Sequence, residues 1–161
     1  MSKQLTFGFY EQNKYNPVDL AYIAGLVDGE GHIGLTMNNS KARSGSTWTP
    51  RLQVGMCEKD GIVFMRNVLG GKLRTYKQKS QEHIVYRLEY SNRNNMMKVL
   101  RLLIPYLKVK KGQAELVLAF LEIREKKIML SRNSRYAYYG HEEIDIYNQL
   151  KGLNSRKYEN S

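Results

Sequence analysis

The sequence predicts an α+β fold in which a four-stranded, mostly antiparallel sheet carries its helices on one face. Two observations lead to it. Apolar and polar residues alternate with period two in two pairs of segments, around Ile33–Met37 with Leu52–Met56 and around Lys72–Tyr76 with Ile84–Tyr90. Helical patterns precede, separate and follow those pairs, with glycines or polar turns at the joints. The chain has 161 residues, enough for one domain with its own core. We expect an N-terminal arm over residues 1–15, one domain over 16–157 and a short tail over 158–161.

Asn16-Pro17-Val18-Asp19 starts the first helix, with Asn as cap, Pro at the first helical position and Asp near the positive end of the helix dipole. The pattern runs to about Asp28 and stops at Gly29-Glu30-Gly31. In the strands that follow, Ile33, Leu35, Met37, Leu52, Val54 and Met56 fall on the inner face, on either side of a polar loop over 39–47. A helix fits Asp60–Leu69 and ends at Gly70-Gly71. Leu73 and Thr75, then Ile84, Tyr86, Leu88 and Tyr90, form the inner face of the second strand pair. Helices are expected over about 94–103, broken near Pro105, then over about 111–130 and 141–153.

Charge narrows the partner. Lys plus Arg number 26 and Asp plus Glu 15, giving +11, which favours a polyanion: nucleic acid first, an anionic membrane second. No long uncharged apolar run predicts a spanning helix, so no membrane-inserted form is expected. Residues 31–81 alone carry +7. The outer sheet face would present His32, Thr36, Asn38, Arg51, Gln53, Lys72, Arg74, Tyr76 and Arg87, side chains suited to phosphates and base edges. An ordinary solvated face is the alternative. Acidic residues gather later, where Glu115, Glu122, Glu125, Glu142, Glu143 and Asp145 read as solvated helix surface. The single cysteine, Cys57, allows no intramolecular disulfide, and the first ten residues lack a secretory pattern. An intracellular setting is expected, whether an organelle or a prokaryotic cytoplasm.

The first helix is apolar nearly all round. Leu20, Ile23, Ala24 and Val27 make one stripe; Tyr22, Gly25, Leu26 and Gly29 make another on which a second backbone could approach closely. Asp28 and Glu30 sit at the helix end that disfavours carboxylates, where a structural purpose is hard to find and a divalent cation is attractive.

Residues 23–31, Ile-Ala-Gly-Leu-Val-Asp-Gly-Glu-Gly, flanked by Ala21-Tyr22 and His32-Ile33, resemble the signature of the LAGLIDADG homing endonucleases. Pro105-Tyr106-Leu107-Lys108-Val109-Lys110-Lys111-Gly112-Gln113-Ala114, with Leu116-Val117-Leu118, is similar to the segment that carries the family's basic active-site residue. Residues 150–157 are similar to family C-termini, and the resemblance spans about 16–157. It implies an αββαββα core with a saddle-shaped sheet and an extra C-terminal helix. One motif copy places the chain in the homodimeric branch, with Tyr22, Gly25, Leu26 and Gly29 at the dimer interface.

The resemblance further implies a site-specific, intron-encoded nuclease of mobile genetic elements, making a staggered double-strand cut in a long pseudo-palindromic DNA. The alternatives on this fold are an intron RNA maturase and a cleavage-inactive DNA-binding protein. In that frame Glu30 is the metal-binding catalytic carboxylate and the Gly29 carbonyl its co-ligand. Mg²⁺ is the implied cofactor, at two or three divalent cations per dimer, with Mn²⁺ or Ca²⁺ as substitutes. Lys110 matches the active-site lysine, with Lys108 and Lys111 beside it. Glu58 is the candidate polar residue after the second strand, with Cys57 the alternative. The 131–140 segment, with Arg132, Arg135, Tyr136, Tyr138 and Tyr139, reads either as a phosphate-contacting element or as an ordered linker.

Overall fold

The computed structural model describes residues 14–39, 46–77, 83–130 and 139–155. The elements run α1 (Pro17–Glu30), β1 (Gly31–Asn39), β2 (Ser46–Met56), α2 (Lys59–Leu69), β3 (Lys72–Lys77), β4 (Ile84–Tyr90), α3 (Arg93–Leu103), α4 (Lys111–Leu130) and α5 (His141–Ser155). The four strands are all antiparallel, in the order β1-β2-β4-β3. The expected α+β architecture is therefore the observed one. The arm over 1–13, the tail over 158–161 and most of the 131–140 segment lie outside the described residues.

Starts and stops follow local chemistry. The Asn16 side chain accepts from the Val18 N–H at 2.9 Å, and Pro17 occupies the first helical position, where a missing N–H costs nothing. Asn92 caps α3 in the same way through the Asn95 N–H. At Gly70 and Gly71 the chain turns with φ of 70° and 107°, a region in which side-chain-bearing residues are strained. α1 runs two residues further than the expected stop at Asp28. It ends where the Gly31 N–H reaches the Val27 carbonyl, and a side chain on Gly31 would lie 2.5 Å from that oxygen.

The core lies between the inner sheet face and the helices. Leu20, Ile23, Ala24 and Val27 of α1 are buried with Ile33, Leu52, Val54, Leu88 and Tyr90 of the sheet. Ile62 and Met65 of α2, a run of α3 residues from Met96 to Leu103, and Val117, Phe120 and Leu121 of α4 complete it. Removing side chains of this size from water contributes about 1.5–3 kcal/mol each.

Two features were not expected. β4 pairs with β2 only from Leu52 to Met56, so the first half of β2 has an edge without a strand on that side. The Tyr139 hydroxyl fills it, accepting from the Trp48 N–H at 3.1 Å with its ring at 4.5 Å from the indole. Tyr147 stacks on the same indole, and Pro50 has no N–H to expose two residues on. Tyr139 is thus a packing residue, while Arg132, Arg135, Tyr136 and Tyr138 of the same segment lie outside the described residues. Glu143 is the second feature. Expected on a solvated face, it is fully buried, bridged to Lys127 and Arg124 of α4 and bonded to the Gly140 N–H. Burial pushes its carboxyl up, and those hydrogen bonds outweigh it and hold it below the ordinary range. This clamp docks α5 on α4.

Candidate nucleic-acid interface and catalytic end

Strand register decides which side chains share the outer face. His32 pairs with Gln53, Gly34 with Arg51 and Thr36 with Thr49; Gln53 and Lys72 both pair with Glu89, and Arg74 pairs with Arg87. All nine residues expected to meet DNA therefore lie on the face opposite the core. Asn38 donates to the Thr49 hydroxyl at 2.8 Å, holding the outer side of the β1–β2 hairpin. Asn154 of α5 comes within 3.4 Å of the place a Gly34 side chain would take, beside the His32 ring. The face also carries Glu89, which accepts from Arg74 and Tyr76.

The second region is the C-terminal end of α1. Asp28 has a structural partner there: its two carboxylate oxygens accept from the backbone N–H groups of Lys108 and Lys110, at 2.7 and 2.8 Å. Burial raises its pKa, but those backbone bonds and the nearby Lys110 charge prevail and leave it lowered. The Lys110 side chain is buried, and its ammonium donates to the carbonyls of Val27 and Asp28. A cation at this negative helix end offsets the dipole that disfavours Asp28. Sequence reasoning missed this role because the partners are 80 and 82 residues away.

Glu30, one residue past the glycine that follows Asp28, is exposed at the last position of α1. The structure thus brings Glu30 and Lys110 to one helix end. Glu58 is placed differently. It caps α2, its carboxylate facing the Asp60 N–H at 3.5 Å, and Gly61 in the same turn lies against Leu26 and Tyr22 at mid-α1. Cys57 is an exposed free thiol.

Glu30 and the Gly29 carbonyl suit a hard cation that keeps waters and takes its remaining ligands from phosphate oxygens. Among the described residues, no three His, Cys, Asp or Glu side chains converge.

The stripe expected at a dimer interface is largely open. Val18 and Tyr22 are 72% and 52% exposed, and nothing stands within 4 Å of a side chain built at Gly25 or Gly29. Leu26 is half-buried against Gly61, and Tyr22 meets the Phe64 ring edge-on at 5.5 Å. No helix among the described residues is long and apolar enough to cross a membrane.

The sequence matches no family model and no curated protein. Solved structures match its fold. The homing endonuclease I-CvuI, in complex with the I-CreI target and 2 mM Mg with the DNA uncleaved, is 20% identical at a TM-score of 0.55, covering 85% of this chain and 95% of that one. The archaeal intron-encoded homing endonuclease I-Vdi141I, complexed with DNA, is 17% identical at 0.64, covering 84% of each chain. The I-LtrWI LAGLIDADG homing endonuclease, bound to target DNA, is 18% identical at 0.64; the match covers 90% of this chain and half the length of that one.

Proposed function

Because the chain has the fold of the LAGLIDADG homing endonucleases, we propose that it is a site-specific DNA endonuclease that works as a homodimer. It would make a staggered double-strand cut in a long, pseudo-palindromic target by metal-dependent phosphodiester hydrolysis. The observation that carries this reading is an exposed Glu30 at the last position of α1, the helix end whose Val27 and Asp28 carbonyls accept from Lys110.

Glu30 and the Gly29 carbonyl of each copy would hold divalent cations, Mg²⁺ in the first place. Such a cation, when bound, supplies Lewis-acid stabilisation of the scissile phosphate and a more acidic water. The chain's own groups do the rest. Asp28 is committed to the Lys108 and Lys110 N–H groups, so Glu30 is the carboxylate left to face substrate. Lys110, held by helix carbonyls, contributes fixed positive charge where phosphate charge builds up, without having to be reoriented during the reaction. The outer sheet face would hold the duplex through its cationic and hydrogen-bonding side chains.

Two copies are needed because one chain supplies a single Glu30, while a double-strand cut has two scissile phosphates. The stripe of Tyr22, Gly25, Leu26 and Gly29, largely open, is the surface on which a second α1 would pack. That this chain spans half of one matched chain and nearly all of another fits a unit that works in pairs.

The test is incubation with Mg²⁺ and DNA carrying the uninterrupted insertion site of the gene. Wild type is expected to cut both strands. Glu30→Gln is expected to lower cutting at least about 1,000-fold while binding changes by less than about threefold, as loss of charge stabilisation at the reacting phosphate requires. A wild type that binds without cutting would leave the cleavage-inactive reading. Selective binding of the intron RNA would favour the maturase, and a monomer by sedimentation at working concentration would overturn the dimer.

A further inference from the structure

We infer that Glu89 is a positioning residue that aims Arg74 at a guanine in each half-site; this rests on the DNA reading proposed above. Arg74 and Arg87 are paired directly across β3 and β4, an arrangement in which two like charges repel. Glu89 resolves it. Its carboxylate accepts from Arg74 Nε at 2.8 Å and from the Tyr76 hydroxyl at 3.2 Å, and lies 4.0 Å from Arg87 Nη1. The Arg87 guanidinium in turn lies over the Tyr76 ring, 4.5 Å from its centroid. Four side chains from two strands thus form one assembled patch on the outer face.

Three points favour recognition over stability. The Arg74 side chain is 46% exposed, and a pair so open to solvent contributes at most about 1 kcal/mol to folding. A carboxylate facing DNA phosphates opposes binding by its charge alone, so its use there lies in what it orients. Finally, Glu89 engages Arg74 at Nε, which leaves the terminal Nη1/Nη2 edge, the edge whose two parallel donors match guanine O6 and N7.

The test is selection from a randomised duplex library in EDTA, using the full chain as wild type, Glu89→Ala, Glu89→Gln, Arg74→Ala and the Arg74→Ala/Glu89→Ala double variant. Wild type should prefer guanine at one position of each half-site by about fivefold or more, the range of a bidentate contact. Glu89→Ala should reduce that preference to within about twofold while affinity for random duplex holds or rises, as removal of a negative charge requires. Glu89→Gln should fall between them. Adding Glu89→Ala to Arg74→Ala should change nothing further, and the thermal midpoints of all five proteins should lie within about 4 °C of one another, the limit for so exposed a pair. Full guanine preference in Glu89→Ala would overturn the inference, as would a uniform loss of affinity across sequences. A cytosine preference that needs Glu89 when Arg74 is absent would overturn it too, because Glu89 would then read a base itself. A wild type that selects no sequence would overturn the DNA reading and this inference with it.

Discussion

Two carboxylates in this molecule accept from backbone N–H groups with a lysine close by, one at each end of α4. Glu143 is fully buried between α4 and α5, where Lys127, Arg124 and the Gly140 N–H surround it. Asp28 sits half-buried at the end of α1, bonded to two N–H groups of the segment before α4, whose lysine turns back onto the α1 carbonyls. The first clamp joins two scaffold helices and leaves no carboxylate exposed. The second joins a helix end to a lysine and leaves Glu30 in solvent next to both. Similar chemistry serves docking in one place and, in the proposed function, alignment of the catalytic end in the other, and the difference lies in what stands beside it.

That contrast can be broken. Glu143→Ala should have the largest effect, about 3–5 kcal/mol of lost stability in denaturant unfolding, because it strands partly buried cations and a backbone donor. DNA cutting by the fraction still folded should be close to normal. Asp28→Asn should cost less stability, about 1–3 kcal/mol, since the amide keeps one acceptor for the two N–H groups. Its single-turnover cutting rate should nevertheless fall about tenfold or more through displacement of Lys110. Variants that both lose stability and cutting in proportion would erase the distinction.

The smallest effect is in pH. Both carboxyls titrate below their ordinary values of 3.8 and 4.5 in the folded chain. The unfolded chain therefore takes up protons first as pH falls. Their contribution to stability is complete above those values and is lost as pH drops through the lower folded ones. The denaturant midpoint should be flat from about pH 7 to pH 5 and decline below about 4.5, with a shallower decline in Glu143→Gln. An equally steep decline in that variant would remove Glu143 from the acid response.

Much of the fold was legible because it is written in short-range periodicity. Alternation around Leu52–Met56 and Ile84–Tyr90 fixes which side of each strand is inward, so the nine outer-face residues fall together. The opposed stripes of α1 were legible for the same reason, with Leu20, Ile23, Ala24 and Val27 buried and Tyr22, Gly25 and Gly29 outward. What was not legible depends on distant partners. Glu143 lies in a charged stretch that a helical wheel leaves in water, and only the docking of α5 on α4 buries it. Asp28 looked anomalous at a helix C-terminus until a lysine 82 residues later met the carbonyls there. Tyr139 offered no period at all, and its role follows from β4 being too short to cover β2.

The bond between Asp28 and the 108–110 segment also orders events in time. A ribosome adds residues from the N-terminus, so α1, the hairpin and the whole sheet have left the exit before Lys110 arrives. A chain made only to residue 107 contains every strand of the cationic face, while the end of α1 still lacks its lysine. In the reading proposed above, the strands assigned to holding DNA are thus synthesised before the lysine assigned to cutting it, and a truncation before residue 108 would leave those strands without the segment that completes the end of α1.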